Sequence, residues 1–348
     1  MYERCSSSRL RGRFGSITCE KGGGVAIRAY SKEEAKSVAR DMLQGIIPGP
    51  TVPLNGDGSI DELGWRHNLR YAVDVIKSPG LYINSYYGTF WVFTGAERRR
   101  LLEIAVDEVG DRAFLINRCA HASPREAVDL AKHAQSAGAD IVSLVLPQFG
   151  YVSEDMLVGY FAMVAREIDL GITIMNTNQS GYSISPELMA RIGSEIPNVC
   201  ALKNHMPMES TIRIRELVGD SIVVIDPNEE NFLVNMTKYG QRAVFTGTNM
   251  MFDREGATPF KDYVDAGLAG RVDEAEKLHD EMAPLRELHH KWILEPWDAL
   301  SFCPVARVKF WTEQLGMVGG PAPEPLPQMT EAEKRQLRAE MAEAGLID

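Results

Sequence analysis

No stretch of the 348-residue chain approaches the roughly 20 consecutive apolar residues that a membrane-spanning helix needs, so the sequence offers no span. Cysteine is scarce and scattered. Cys5, Cys19, Cys119, Cys200 and Cys303 are odd in number and contain no C-x-x-C pair. That excludes a disulfide scaffold and points to a reduced, cytoplasmic setting. Positive charge is in deficit, with 37 Lys and Arg against 48 Asp and Glu and a net charge of −11. A nucleic-acid phosphate track is therefore not expected. The sequence also lacks H-E-x-x-H and H-x-x-x-H spacing, G-x-S-x-G, a P-loop and any G-x-G-x-x-G after the first strand-like run. Neither a metal nor a bound cofactor is expected on these grounds.

What is present is regular. Apolar residues make up 45% of the chain and charged residues 24%, the composition of a globular protein. From about residue 44, short apolar β-branched runs alternate with longer amphipathic ones. Eight runs read as strands: Gly45–Thr51, Gly80–Ser85, Phe114–Arg118, Asp140–Leu146, Gly171–Asn176, Asn198–Lys203, Ser221–Asp226 and Arg242–Gly247. Continuous rather than alternating apolar character is expected of a parallel sheet covered on both faces. The segments between them carry helix punctuation. Asp61–Ile76 follows Ser59. Thr94 with Glu97 forms a capping box before Gly95–Val109, and Ser123-Pro124, Ser153 and Ser185-Pro186 open further helices. Glu209–Val218 is read as another. Gly138, Gly193, Gly219 and Gly240 fall where helices should stop.

Eight even strand–helix alternations without a dinucleotide fingerprint predict a (β/α)8 TIM barrel with additional C-terminal helices, rather than an open doubly wound sheet. The expected division is a disordered leader over 1–29, the barrel over 30–270, and a helical extension over 271–348 packed on the barrel. The extension should contain helices at Val272–Leu294, Val305–Leu315 and Glu331–Ala344.

Barrel chemistry belongs at the C-terminal ends of strands. Read in order, those ends are Ser85-Tyr86-Tyr87-Gly88-Thr89, Arg118, Pro147-Gln148-Phe149, Met175-Asn176, Lys203-Asn204-His205, Asp226-Pro227-Asn228 and Gly247-Thr248-Asn249. Lys203 ends an apolar strand. A lysine there must be paired, must reach solvent, or must lose its proton easily, and a neutral amine can attack a carbonyl carbon to form a Schiff base. His205, two residues on, points to the same side if the strand continues. It could shuttle protons near neutral pH, although a histidine held only for shape is the plainer reading. The pair His289-His290 lies in the helical tail and is read as structural.

These landmarks together resemble the dihydrodipicolinate synthase / N-acetylneuraminate lyase family of class I aldolases and lyases. The resemblance covers roughly residues 44–328. It rests on Gly45-Ile46-Ile47-Pro48 through Asp57-Gly58-Ser59-Ile60-Asp61, on Phe90 through Leu101, on Ser185-Pro186-Glu187-Leu188, on Asn198 through Lys203, on Gly247-Thr248-Asn249 and on Cys303 through Lys309. It implies a homotetramer and a lysine, here Lys203, that forms a Schiff base with a small-molecule 2-oxo acid. It further implies a G-T-T-G-E loop holding the substrate carboxylate and a tyrosine on the fifth strand that relays protons.

The chain departs from that pattern. The loop reads Ser85-Tyr86-Tyr87-Gly88-Thr89, keeping only Gly88. The tyrosine position is Met175, which cannot move a proton. The family's next arginine is missing from the Thr177–Gly181 loop, and a further family tyrosine is replaced by Phe149. The expected site therefore comprises Lys203 as nucleophile and Tyr86, Tyr87 or His205 as acid/base. Ser85, Gly88, Thr89, Phe149, Met175, Asn176, Gly247 and Asn249 are expected around the substrate. The polar-to-apolar exchanges suggest a bulkier 2-oxo acid with an aromatic or apolar substituent. The expected reaction is carbon–carbon or carbon–oxygen lysis of the aldolase or hydratase-aldolase type. Two alternatives stay open. One is a hydrolase, decarboxylase or ring-opening enzyme working without an imine, with Asp226, Asn228, Glu229 and Asn249 orienting water. The other is a non-catalytic 2-oxo acid sensor.

Overall fold

The computed structural model describes residues 30–147, 153–177, 180–300 and 302–348. Eight strands alternate with helices in chain order. They are β1 (Gly45–Ile46), β2 (Gly80–Ile83), β3 (Phe114–Arg118), β4 (Ile141–Val145), β5 (Gly171–Asn176), β6 (Val199–Asn204), β7 (Val223–Ile225) and β8 (Ala243–Val244). Strands β2 to β7 pair in sequence order, all parallel, and β1 pairs with β8. The Tyr82 N–H donates to the Pro48 carbonyl at 2.8 Å and so joins β1 to β2. At the remaining seam a side chain stands in for backbone. Gln241 Oε1 accepts from the Asp226 N–H at 2.8 Å, and Gln241 Nε2 donates to the Asp226 carbonyl at 3.0 Å. One amide thus satisfies both backbone groups of a buried residue where β7 and β8 diverge. The result is a (β/α)8 barrel.

The helices follow their caps. They are α1 (Ala35–Met42), α2 (Glu62–Arg70), α3 (Gly95–Val109), α4 (Pro124–Ala137), α5 (Glu154–Ala165), α6 (Pro186–Glu195), α7 (Met208–Val218), α8 (Phe232–Thr237), α9 (Asn249–Phe252), α10 (Pro259–Leu268), α11 (Val272–Glu281), α12 (Ala283–His289), α13 (Glu295–Leu300), α14 (Val305–Gln314) and α15 (Glu331–Glu343). Thr94 and Glu97 form the expected capping box on α3. Ser123, Ser153 and Ser185 cap α4, α5 and α6. Gly138 ends α4 at φ 105°.

Several expectations need correction. The second helix is capped by Asp61, whose carboxylate accepts from the Gly64 N–H, rather than by Ser59. It continues as a π-helical turn over Tyr71–Val75. Gly193 lies inside α6 because that helix runs on to Glu195. The single helix expected over Val272–Leu294 breaks into α11, α12 and a π-turn at His290–Leu294. The leader at 1–29 lies outside the described residues.

Among the described residues, three apolar clusters hold the fold together. The largest packs β2–β6 against the helices α2–α7. A second fills the barrel interior. Ile47, Tyr82, Phe114, Ile116, Ile141, Val145, Met175, Ala201, Ile225 and Phe245 meet Ala35, Ala39, Met42 and Leu43 there. Helix α1 thus closes the N-terminal end of the barrel, leaving the C-terminal end for chemistry. The third cluster joins Ile46, Val244, Met251, Phe252 and Phe260 to Trp292, Trp311, Leu337 and Met341, and so seats the C-terminal helices on the β1/β8 side. No described helix is long and apolar enough to cross a membrane.

Candidate functional site

Lys203 is the penultimate residue of β6, aligned with Met175 of β5 and Ile225 of β7. Alternation along β6 turns Lys203 inward with Ala201, while Leu202 and Asn204 face the helices. The ammonium lies over the Phe245 ring, 4.3 Å from its centre. Burial first, and then the charge of Arg118, lower the amine to about 7. An aromatic face and one like charge are poor substitutes for water, so the neutral amine gains ground.

Arg118, at the end of β3, supplies that like charge. It is 5% exposed and makes no side-chain hydrogen bond or ion pair among the described residues. Its guanidinium lies over the Phe90 ring at 3.8 Å from the centre. Arg98, projecting from α3, donates to the carbonyls of Arg118 at 2.7 Å and Ala120 at 3.2 Å, which fixes the β3 end. Burial lowers the Arg98 guanidinium to about 10.

Above Arg118 opens a cavity of about 570 Å³. One wall is aromatic, built by Tyr86, Phe90, Trp91, Phe93 and Phe302, the aliphatic Val145, Leu146 and Pro147 also line the cavity, and Arg98 and Arg118 are the charged contribution. Tyr86 sits between Trp91 at 4.6 Å and Trp297, stacked at 5.3 Å. Burial first, and then the neighbouring Cys303 thiol, raise its pKa. The C-terminal extension therefore builds part of this wall, through Trp297 of α13 and through Phe302 and Cys303.

The expected carboxylate loop is spent on itself. Ser85 Oγ accepts from the Gly88 N–H at 2.8 Å, and Thr89 is 1% exposed. Thr89 adopts φ 55°, a left-handed conformation that a β-branched residue takes only under strain. Tyr87 is half-buried on the edge of Trp297, 5.6 Å between centres, and the protein around its phenol raises its pKa. Gly247 is needed beneath it, since a Cβ there would lie 2.7 Å from a Tyr87 ring carbon. Of the five loop residues, Tyr86 lines the cavity.

Other expected residues are engaged in hydrogen bonds within the fold or stand at its rim. Asn176 faces away from the barrel axis, and its amide is used up by Ile184 and Asn204. Asn249 is fully buried and donates to Ser78. Asp226 accepts from Asn228, Asn231 and Asn235 and so secures the turn into α8. Glu229 accepts from the Thr248 hydroxyl at 3.0 Å, and burial raises its pKa. Phe149 lies outside the described residues. His205 is on the rim, exposed overall. The protein around its ring first, and then the Lys203 charge, hold its imidazole below the usual value.

One residue that the strand-end reading passed over is Tyr82, on β2. Its backbone aligns with Ile116, below the Arg118 level, and its phenol rises inside the barrel. The hydroxyl meets Ser143 Oγ at 3.1 Å and Met175 Sδ at 3.4 Å. Its ring packs edge-on against Phe245, 4.8 Å between centres, the same ring that carries the Lys203 amine. A tyrosine hydroxyl thus lies beside the position where the resemblance expects one, although it comes from a different strand.

Comparison with known proteins agrees with this architecture. The chain is 28% identical over 302 residues to a 4-hydroxy-tetrahydrodipicolinate synthase of Methanothrix thermoacetophila, covering 85% of this chain and 95% of that protein. Among solved structures, the dihydrodipicolinate synthase from Aquifex aeolicus is 25% identical with a TM-score of 0.75, covering 87% of this chain and 98% of that one. The Proteus mirabilis N-acetylneuraminate lyase shares the fold at 20% identity and a TM-score of 0.76, covering 88% and 100%. These relatives are synthases and lyases. The model of the dihydrodipicolinate synthetase family matches residues 42–344, and the chain belongs to that family.

Proposed function

We propose that this enzyme is a Schiff-base lyase, of the aldolase or hydratase-aldolase type, acting on a 2-oxo acid with an aromatic or other apolar substituent. The observation that carries the reading is the Lys203 amine, inward at the barrel mouth and lowered to about 7. In its neutral form it adds to the C2 carbonyl of the substrate. Loss of water leaves a protonated imine. Cleavage of the C3–C4 bond sends its electron pair into that imine, while the C4 hydroxyl gives up its proton and becomes a carbonyl. The resulting enamine takes a proton at C3, and hydrolysis returns the lysine.

Tyr82, with Ser143 behind it, is the proton relay in this reading, because its hydroxyl adjoins Met175, the strand neighbour of Lys203. His205 at the rim is the second exchangeable group. Tyr86 and Tyr87 are assigned to the wall, since both rings pack against Trp297. The aromatic cavity lining supports the choice of substituent. The homotetramer is carried by the family resemblance and is tested by light scattering. A cytoplasmic setting is supported by the buried free thiols of Cys119, Cys200 and Cys303.

The test is reductive trapping with borohydride, read by intact mass, using pyruvate and a panel of aromatic 2-oxo acids on native protein and Lys203→Ala. A lysine-dependent gain equal to the reduced adduct is expected, largest with an aromatic acid. Binding without any adduct would replace this reading with catalysis without an imine or with sensing.

A further inference from the structure

A carboxylate needs an anchor in this site, and the loop expected to provide it has committed its Ser85 hydroxyl and Gly88 N–H to each other. Arg118 is the opposite case. Its guanidinium is buried, lines the cavity, and has an Nε without a partner. A buried, unpaired cation is costly unless something in the working molecule compensates it. No carboxylate among the described residues does so, since no ion pair involves Arg118. The group is also presented for use. One face of the guanidinium is covered by Phe90 at 3.8 Å, which leaves the nitrogens along its edge for an in-plane acceptor. Its strand end is held by two hydrogen bonds from Arg98. A planar fork with a free edge suits a carboxylate, which accepts two parallel N–H bonds.

Resting on the proposed function above, we infer that Arg118 anchors the C1 carboxylate of the 2-oxo acid, in place of the Ser85–Thr89 loop, and is the specificity-determining residue for acids over neutral ketones. The surroundings decide between anions. A phosphate would call for several converging free donors, but the Arg98 fork and the Ser180 hydroxyl in the same cavity are already spent on backbone carbonyls, which leaves the Arg118 fork to meet a single carboxylate attached to an apolar body. The anchor also helps the chemistry. With its carboxylate held on β3, the acid presents its neighbouring carbonyl carbon toward β6 across the barrel mouth.

The experiment compares phenylpyruvate with phenylacetone, in which a methyl group replaces the carboxylate. Binding is read by quenching of the protein's tryptophan fluorescence in a Lys203→Met background, where no imine forms. Arg118→Met is expected to weaken phenylpyruvate by about 10- to 100-fold and to leave phenylacetone within about twofold. Arg118→Lys should recover part of the loss. Equal loss for both ligands would mark a merely structural role and overturn the inference. So would no loss for either, or no binding of phenylpyruvate before Arg118 is changed. Trapping on the Lys203-containing protein separates the two claims. If an adduct forms but its half-saturating concentration ignores Arg118→Met, the anchor fails and the imine stands. If phenylpyruvate binding depends on Arg118 while no adduct forms, the anchor stands and the imine fails.

Discussion

Lys203 gives the sharpest quantitative expectation. A lysine at its ordinary value of 10.5 is neutral in about one molecule in 3,000 at pH 7, whereas one held at about 7 is neutral in half. The structure thus predicts about a 10³-fold larger nucleophile population at neutral pH. Imine formation with a 2-oxo acid, followed under single-turnover conditions from pH 5.5 to 9.5, should rise about tenfold per pH unit below 6 and flatten above 8. The same depression has a thermodynamic signature. Below about pH 7 the amine is protonated in both folded and unfolded chains, and the cost of enclosing its charge is fully present. Between about 7 and 10.5 the unfolded chain holds a proton that the folded one lacks, so stability rises with pH across that window. The full gap corresponds to about 5 kcal/mol, an upper bound because the side chain keeps some solvent contact. Lys203→Met should therefore be more stable than the native protein at pH 6, by about 1–3 kcal/mol, and should lose that advantage near pH 10. A rate that climbs log-linearly past pH 9, together with a stability difference indifferent to pH, would refute the reasoning.

Other perturbations separate the roles assigned to neighbouring groups. Tyr82→Phe should lower kcat by about 10²- to 10⁴-fold with little change in KM, while the trapped lysine adduct persists. If kcat is unaffected, the relay is elsewhere. Trp91→Ala opens the aromatic wall and should reduce the preference for aryl over alkyl 2-oxo acids by about tenfold in kcat/KM. An unchanged ratio would take the substituent out of this cavity. Gln241→Leu leaves both backbone groups of Asp226 unpaired and removes one of the acceptors of Arg215, and should cost about 2–5 kcal/mol in urea denaturation. A loss under about 0.5 kcal/mol would mean that water closes the β7–β8 seam unaided.

The parts of the fold legible in the sequence are those specified by neighbours in the chain. A strand covered on both faces must be apolar throughout, so Ile172, Ile174, Val199 and Leu202 announce their strands without knowledge of their partners. A cap is a contact three residues long, so Thr94, Ser123 and Ser185 could be read directly. The closure of the barrel floor could not. Helix α1 offers a short run of Ala35, Ala39 and Met42 whose meaning depends on the hole it fills. The Gln241 seam is equally silent, because a glutamine before a short strand ordinarily faces water. The wall built by Trp297 and Phe302 likewise requires a fold-back across more than 200 residues of chain, from the β2 loop to the region after α12.

The candidate site shows why strand ends alone are an incomplete guide. Lys203 was legible because a lysine ending an apolar strand conflicts with its setting. Arg118 raised the same conflict one residue before Cys119 and was passed over as an ordinary strand end. Tyr82 raised none, since a tyrosine inside a β-rich run is unremarkable. Its significance lies in the barrel's layering. Staggered strands bring inward side chains from different levels together, so a phenol starting low on β2 ends beside Ser143 of β4 and Met175 of β5. A reaction that needs a hydroxyl next to Lys203 can therefore receive it from β5 directly or from β2 by reach. Met175 offers no hydroxyl from β5, and the phenol of Tyr82, in contact with the Met175 sulfur, brings one there from β2.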